Sequence, residues 1–273
     1  MKSPHLSVEL ILSTPTLIIG FLTTYSLHTI FLTKYLTLTQ FTLIYLSFGL
    51  LTLSRTGEKI LVLLTPGVKL VKGEQKKLLD DISLLITNKA GVRKRRWLFA
   101  LEESKYLNAS TSGLHLIVLT PSALNLPTNE LRAVLSHEIA HQIHKDTISL
   151  HANWWFTLPT NILLRTKNPT PILLLATLLY ILSKNSPSFS SILLLATLTL
   201  TLLIVFTLLK LAIDRRNELA ADYFAYQLGY GDDLIKILSR FTANPKTPAL
   251  FLSHPRIDKR IKRLSQYPKL PIH

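Results

Sequence analysis

The chain has 273 residues, with 31 Lys plus Arg against 16 Asp plus Glu, nine His, no Cys and one Met. Hydrophobic residues make up 48% and only 17% are charged, where a soluble globule carries about a quarter. Disorder, collagen-like and coiled-coil architectures are excluded by the long uncharged apolar runs. Disulfides and every thiolate-held zinc or redox centre are excluded by the lack of Cys.

In chain order, the first 54 residues hold two apolar stretches, about 6–32 and 35–53, separated by Thr33 and Lys34. A membrane span needs about 20 mostly apolar residues, and this region contains no Ala and hence no A-x-A cleavage site. Residues 1–54 are therefore expected to be a retained transmembrane hairpin. Residues 55–146 are expected to be a cytoplasmic catalytic domain, with an amphipathic helix near 74–89 and a strand at Leu114–Thr120.

Residues 127–145 read PTNELRAVLSHEIAHQIHK. Leu131, Val134, Leu135, Ile139 and Ile143 fall on one helical stripe, Thr128 is the expected N-cap and Glu130 lies in the first turn. His137 and His141 are one turn apart on the same face, so both imidazoles can reach one metal ion. Glu138 follows the first of them and is placed to take a proton from a water at that metal and return it to a leaving amine. With nine His and eight Glu in the chain, an HExxH pattern arises by chance roughly 1% of the time. The rival reading is an ordinary amphipathic helix with solvated histidines. His144 lies off the His137/His141 face and is expected to be solvated; Asp146 follows the helix and is not a ligand by spacing.

Residues 147–213 hold four basic residues and no acidic one. They offer three apolar pieces, about 147–164, 170–183 and 190–213; the last two share the heptad ILLLATL at Ile172–Leu178 and Ile192–Leu198. Residues 214–273 then return to polar sequence, with Glu218 and Asp222 spaced one helical turn apart in RRNELAAD. Glu218 suits the third protein ligand that a catalytic zinc requires, and Asp222 can accept the second N–H of a ligating His. The bland alternative pairs both acids with Arg215 or Arg216 at the surface.

The positive charge gives an orientation. Residues 55–146 carry 14 Lys/Arg and residues 214–273 carry 11, so both polar regions are expected on the cytoplasmic side of a cell membrane crossed several times, with the basic face suited to anionic lipid headgroups. A nucleic-acid partner is not expected, because no recognisable binding motif accompanies the charge. All three ligands must share one side of the membrane, so the spans between His141 and Glu218 must be even in number. Pairing 170–184 with 190–213 leaves one cation outside and makes 147–166 interfacial; pairing 147–164 with 190–213 leaves three. The expected fold class is thus a mainly α membrane protein of about four transmembrane helices with a cytoplasmic α+β gluzincin-type metalloprotease domain.

The stretches HEIAHQIHKD at 137–146, RRNELAAD at 215–222 and SHPRIDKRI at 253–261 resemble the HtpX-type membrane metalloproteases, gluzincins related to the CaaX prenyl proteases. That resemblance implies one Zn2+ per chain on His137, His141 and Glu218, Glu138 as general base and Asp222 behind a ligating His. It further implies that Asn108–Gly113 lies beside an edge strand that pairs with an extended substrate, for which strand addition gives a physical basis; a polar turn is the alternative. The implied reaction is hydrolysis of peptide bonds in misfolded or damaged membrane proteins. The chain departs from the family pattern at Asp214, where Ser is usual, and in having three apolar pieces between the ligand helices. Rival readings are a prenyl-protein endoprotease and a non-catalytic membrane scaffold. His254, before Pro255, is a candidate oxyanion or substrate contact, and Arg260 a candidate partner of Asp222 or Asp258. Oligomeric state is not legible.

Overall fold

The structure is a computed structural model that describes Tyr25, 34–93, 95–148, His151, Trp155, 189–240 and 254–268. Chain packing divides it into two units, one drawn mainly from Leu51–Ile148 and Leu211–His273, the other from Ser7–Leu50 and Ser149–Lys210.

In the second unit, helix α1 covers Leu38–Thr52. Phe41 stacks on Tyr45 at 6.1 Å between centroids. The Tyr45 hydroxyl donates to the Trp155 carbonyl at 2.9 Å. Gly49 lets the Trp155 ring approach: a Cβ there would meet Nε1 at 2.6 Å.

The first unit carries the sheet. Ser54 caps helix α2, Arg55–Leu64, by accepting from the Gly57 N–H at 3.1 Å. Strand β1 is Val68–Leu70, entered through Gly67 at φ 76°. Helix α3, Gly73–Lys89, buries Leu79, Ile82, Ser83, Ile86 and Thr87. That spacing of three and four residues puts one stripe of the helix against the core. Strands β2 (Leu98–Glu102), β3 (Ala109–Ser112) and β4 (Leu116–Leu119) follow, then a short helix α4, Pro121–Leu124, capped by Thr120. The strand order is β1-β2-β4-β3. β2 and β4 are parallel, with β1 and β3 antiparallel to their neighbours, so β3 is an edge strand.

Helix α5, Thr128–His144, is covered on most of its circumference, with Leu131, Ala133, Leu135, Ile139 and Ala140 at the core and Ser136 to Glu138 buried beside them. Helix α6 runs from Phe189 to Gln227, α7 from Gly231 to Ser239 and α8 from Ile257 to Ser265. Trp97, Phe99, Ile117 and Leu119 from the sheet join Leu79, Ile86, Leu131, Leu135, Ile139, Leu234 and Leu264 in one apolar cluster. Each large side chain buried there contributes about 1.5–3 kcal/mol. The sheet and this cluster clamp α5 and fix the height of its histidines.

The four-span fold class does not hold: among the described residues no helix is long and apolar enough to cross a membrane. Helix α1 is only 15 residues long, and Ser54 starts a new helix directly after it. The C-terminal stretch of α6 carries Lys210, Asp214, Arg215, Arg216, Glu218 and Asp222, a charge density incompatible with hydrocarbon. The apolar piece 190–213 falls within α6. The expected spans at 6–32 and 170–184 and the expected interfacial piece 147–166 lie outside the described residues, apart from Tyr25, Thr147, Ile148, His151 and Trp155. What the described residues build is an α+β domain around a small sheet.

Two local expectations are corrected as well. Thr128 is the first helical residue, not the cap; Pro127 takes that position without a side-chain bond. The segment after Asn108 is itself the edge strand, neither a turn nor a neighbour of one.

Candidate active site

Helix α5 presents His137, Glu138 and His141, and α6 presents Glu218 and Asp222. The burial is deep, with His137 and Glu138 each 7% exposed, Glu218 8% and Asp222 2%. The two imidazoles approach at 3.3 Å between their Nε2 atoms. Glu218 lies between them, with Oε2 3.4 Å from His137 Nε2 and Oε1 3.5 Å from His141 Nε2. The ligand atoms of all three lie within 4.8 Å of one another.

Each imidazole backs onto a carboxylate with its other nitrogen. His137 Nδ1 is 3.0 Å from Asp222 Oδ1, and His141 Nδ1 is hydrogen-bonded to Asp146 Oδ2 at 3.1 Å. The Asp146 bond fixes the His141 tautomer that leaves Nε2 as the donor atom for a metal, and Asp222 stands where it can do the same for His137. Arg260, from α8, closes the back of the site. Its Nε and Nη2 donate to both oxygens of Asp222 at 2.8 and 2.6 Å, and its Nη1 sits 3.2 Å from Glu218 Oε2.

The electrostatics follow from this arrangement. Burial alone would lower the pKa of His137 and His141; the adjoining carboxylates outweigh it and raise both, His141 to about 10. Burial opposes ionisation of Glu218 and Asp222, yet the imidazoles, with Arg260 beside Asp222, hold both carboxyls below their ordinary values. The site is therefore built to hold positive charge.

The donors fit a tetrahedral cation. Zinc–nitrogen and zinc–oxygen bonds are about 2.0–2.2 Å, so donors at the corners of a tetrahedron stand about 3.3–3.6 Å apart. The Nε2–Nε2 separation of 3.3 Å lies in that window, as do the 3.4 and 3.5 Å from the imidazoles to the two oxygens of Glu218, one oxygen to each ring. Two imidazoles and one carboxylate, with no thiolate in the chain, are also a donor set typical of catalytic zinc.

A cleft of about 330 Å³ opens on this cluster. Its polar side is His137, Glu138, Glu218, His254 and Arg260, and its apolar wall includes Val134, Leu234, Ile237 and Leu238. Asn108 and Ala109 bring the start of β3 to its rim. The Asn108 backbone is committed inward: its N–H donates to Thr120 Oγ1, and its carbonyl accepts from the Thr120 N–H and hydroxyl, each at 3.1 Å. His254 reaches the cluster, with Nδ1 2.9 Å from Glu218 Oε1 and its side chain 66% exposed.

Gly113 stands apart from the cleft. It sits at φ 60° in the β3–β4 turn, where a Cβ would come 2.2 Å from Glu58 Oε1. Glu58 accepts there from the Leu114 and His115 N–H groups at 2.6 and 3.0 Å, and the Gly113 carbonyl accepts from the Thr147 hydroxyl. Its place is to hold the hairpin.

Asp146 and Arg260 are the partners that spacing alone did not assign. Continued helix would turn Asp146 away from His141, but α5 ends at Lys145 in a left-handed conformation, φ 65°, and the chain swings Asp146 back. The usable signal is chemical: a ligating His needs an acceptor on its second nitrogen. Glu218 and Asp222 are not surface partners of Arg215 or Arg216; they point inward to the histidines and Arg260. His144 is not solvated either: it is half-buried with its ring edge-on to Phe224 at 6.2 Å, and burial lowers its pKa.

A family model described as "Peptidase family M48" matches residues 73–267. Among solved structures, the chain is similar to the "Crystal Structure of S. mikatae Ste24p", with a TM-score of 0.49 and 21% identity over 90% of this chain and 61% of that one. The chain thus spans about three fifths of the length of that protein. No curated protein matches it.

Proposed function

The chain belongs to peptidase family M48, and from that premise we propose that it is a zinc-dependent endopeptidase whose single metal is held by His137, His141 and Glu218. The observation that carries the reading is the spacing of those three donors at 3.3–3.5 Å. Bound there, zinc supplies a Lewis acid for the scissile carbonyl and lowers the pKa of the attacking water.

The remaining work belongs to the chain. Glu138, buried beside His137 and lining the cleft, accepts a proton from the attacking water and delivers it to the amine nitrogen as the C–N bond breaks. Asp222 and Asp146 orient the two imidazoles, and Arg260 balances the acid that Glu218 and Asp222 bring into a dry site. Polypeptide enters extended along β3, using main-chain hydrogen bonds to the sheet edge, and meets the exposed His254 at the mouth. Substrates would be misfolded or damaged proteins, including those of membranes; this quality-control role rests on the family resemblance.

The test is made with protein purified without metal. Wild type and Glu138→Gln are each given zinc and casein, and fragments are followed over time. Cleavage by wild type, abolished by chelator and reduced on the order of 10³-fold in Glu138→Gln with zinc still bound, is expected from loss of the general base. Zinc bound by both proteins with no cleavage by either would overturn the endopeptidase reading.

A further inference from the structure

A second cleft, of about 490 Å³, lies away from the ligand cluster and is lined by Arg55, Arg95, Arg96, Leu114, His115, Lys145 and Ile148. The volume is that of a small-molecule site, about 300–1,000 Å³. Among the described residues no Asp or Glu lines it. We propose that this cleft is an anion site that takes a phosphate group through Arg55, Arg95, Arg96 and Lys145.

Four separate chain segments line the cleft, and three of them deliver its charge. Arg55 is the first residue of α2; Arg95 and Arg96 precede β2; His115 is in the β3–β4 turn; Lys145 caps α5. A cation at a helix C-terminus is favoured by the helix dipole, which accounts for Lys145 and for Arg95, whose Nη1 reaches the Gln142 carbonyl at 3.4 Å. It accounts for neither Arg55 nor Arg96. Arg55 Nε is buried without a hydrogen-bond partner among the described residues, and a buried donor left unmade costs about 1–3 kcal/mol. An anion in the cleft would relieve the mutual repulsion of the cations.

The counter-charge nearby is weak. Glu58 lies under the turn, with Oε2 3.2 Å from His115 Nδ1, but burial pushes its carboxyl up to about 7, so near neutrality it is only partly ionised. The His115 imidazole is held below its ordinary value, first by burial and then by Arg95 and Arg55, which places the positive potential of both guanidiniums in this cleft. Several guanidinium forks with an ammonium match the tetrahedral oxygens of a phosphate group better than a single planar carboxylate. Free phosphate and a phospholipid headgroup share this chemistry.

The experiment uses the full chain and three probes at matched ionic strength: inorganic phosphate, short-chain phosphatidylglycerol and short-chain phosphatidylcholine, with binding read from the rise in Tm. The site variant is Arg95→Gln/Arg96→Gln, both exposed; the control is Lys72→Gln/Lys77→Gln, exposed residues outside the cleft with the same loss of charge. Inorganic phosphate or phosphatidylglycerol is expected to bind wild type and the control alike, and at least about tenfold more weakly to the site variant, a difference of about 1.4 kcal/mol. Binding of phosphatidylglycerol alone assigns the lipid source, and binding of both assigns the phosphate group itself. The proposal is overturned if neither anion acts beyond chloride, or if the control pair loses as much affinity as the site pair. Arg55→Gln supplies a second variant, expected to show the same loss.

Discussion

The C-terminal half of helix Thr128–His144 and its cap serve two clusters of charge built in opposite ways. Around His137 and His141, Glu218 and Asp222 from α6 and Asp146 meet imidazoles and Arg260, and each of these three acids faces a cationic or imidazole group within 3.5 Å. Around Lys145, cations from separate segments face one another across a cleft with no acid among the described residues that line it. The first cluster can be dry because its charges are compensated; an uncompensated buried charge costs several kcal/mol. The second is tolerated because Arg95, Arg96 and Lys145 remain exposed. The same helix end is therefore shaped to hold a cation on one side and an anion on the other.

The comparison breaks first at Arg260. Removing it in Arg260→Leu leaves Asp222 and Glu218 buried without their cation, and stability is expected to fall by about 3–5 kcal/mol. Denaturant unfolding measures this, and added zinc should recover part of the loss by neutralising Glu218. A loss under about 1 kcal/mol would show that the cluster does not need compensation. Next in size, Asp222→Asn keeps the shape but weakens the acceptor behind His137, and zinc affinity is expected to fall about 10–100-fold in a competition titration with a chromogenic chelator.

How much of this was legible in the sequence depends on the kind of signal. His137, Glu138 and His141 were readable because helical geometry alone puts i and i+4 on one face, and Glu218 with Asp222 because they repeat that spacing. The helix at Gly73–Lys89 followed from its apolar stripe. Asp146 was hidden by a left-handed residue at Lys145, which no periodicity announces, while Arg260 was named as a partner of Asp222 or Asp258 and its distance along the chain left that choice open. The four-span architecture was read from apolar composition; composition does not say where helices stop, and Ser54 starts a new one directly after α1. The edge strand Ala109–Ser112 is polar and short, so its alternation was too weak to separate strand from turn.

Two further variants sharpen the other side of the comparison. Gly113→Ala forces a Cβ into a positive-φ turn and against Glu58 Oε1, 2.2 Å away; a loss of about 1–3 kcal/mol is expected, read as a lower Tm with zinc affinity unchanged. The last effect is a pH dependence at Glu58. Its carboxyl is raised, chiefly by burial, from the ordinary 4.5 to about 7, so the folded state favours the neutral acid. The stability this contributes is full below pH 4.5 and is lost as pH rises through 7. Glu58→Gln keeps an oxygen for the Leu114 and His115 N–H groups and cannot ionise. Its Tm relative to wild type should therefore climb steadily between about pH 5 and 8; parallel profiles would place the Glu58 charge elsewhere.

The central claim is that His137, His141 and Glu218 together hold the metal at which Glu138 works, and zinc K-edge X-ray absorption on wild type loaded with equimolar zinc tests it most directly. Two imidazole nitrogens with oxygen donors at about 2.0–2.2 Å are expected, with weaker zinc binding and an altered shell in Glu218→Ala. An oxygen-only shell without imidazole scattering, or a shell unchanged in Glu218→Ala, would contradict it.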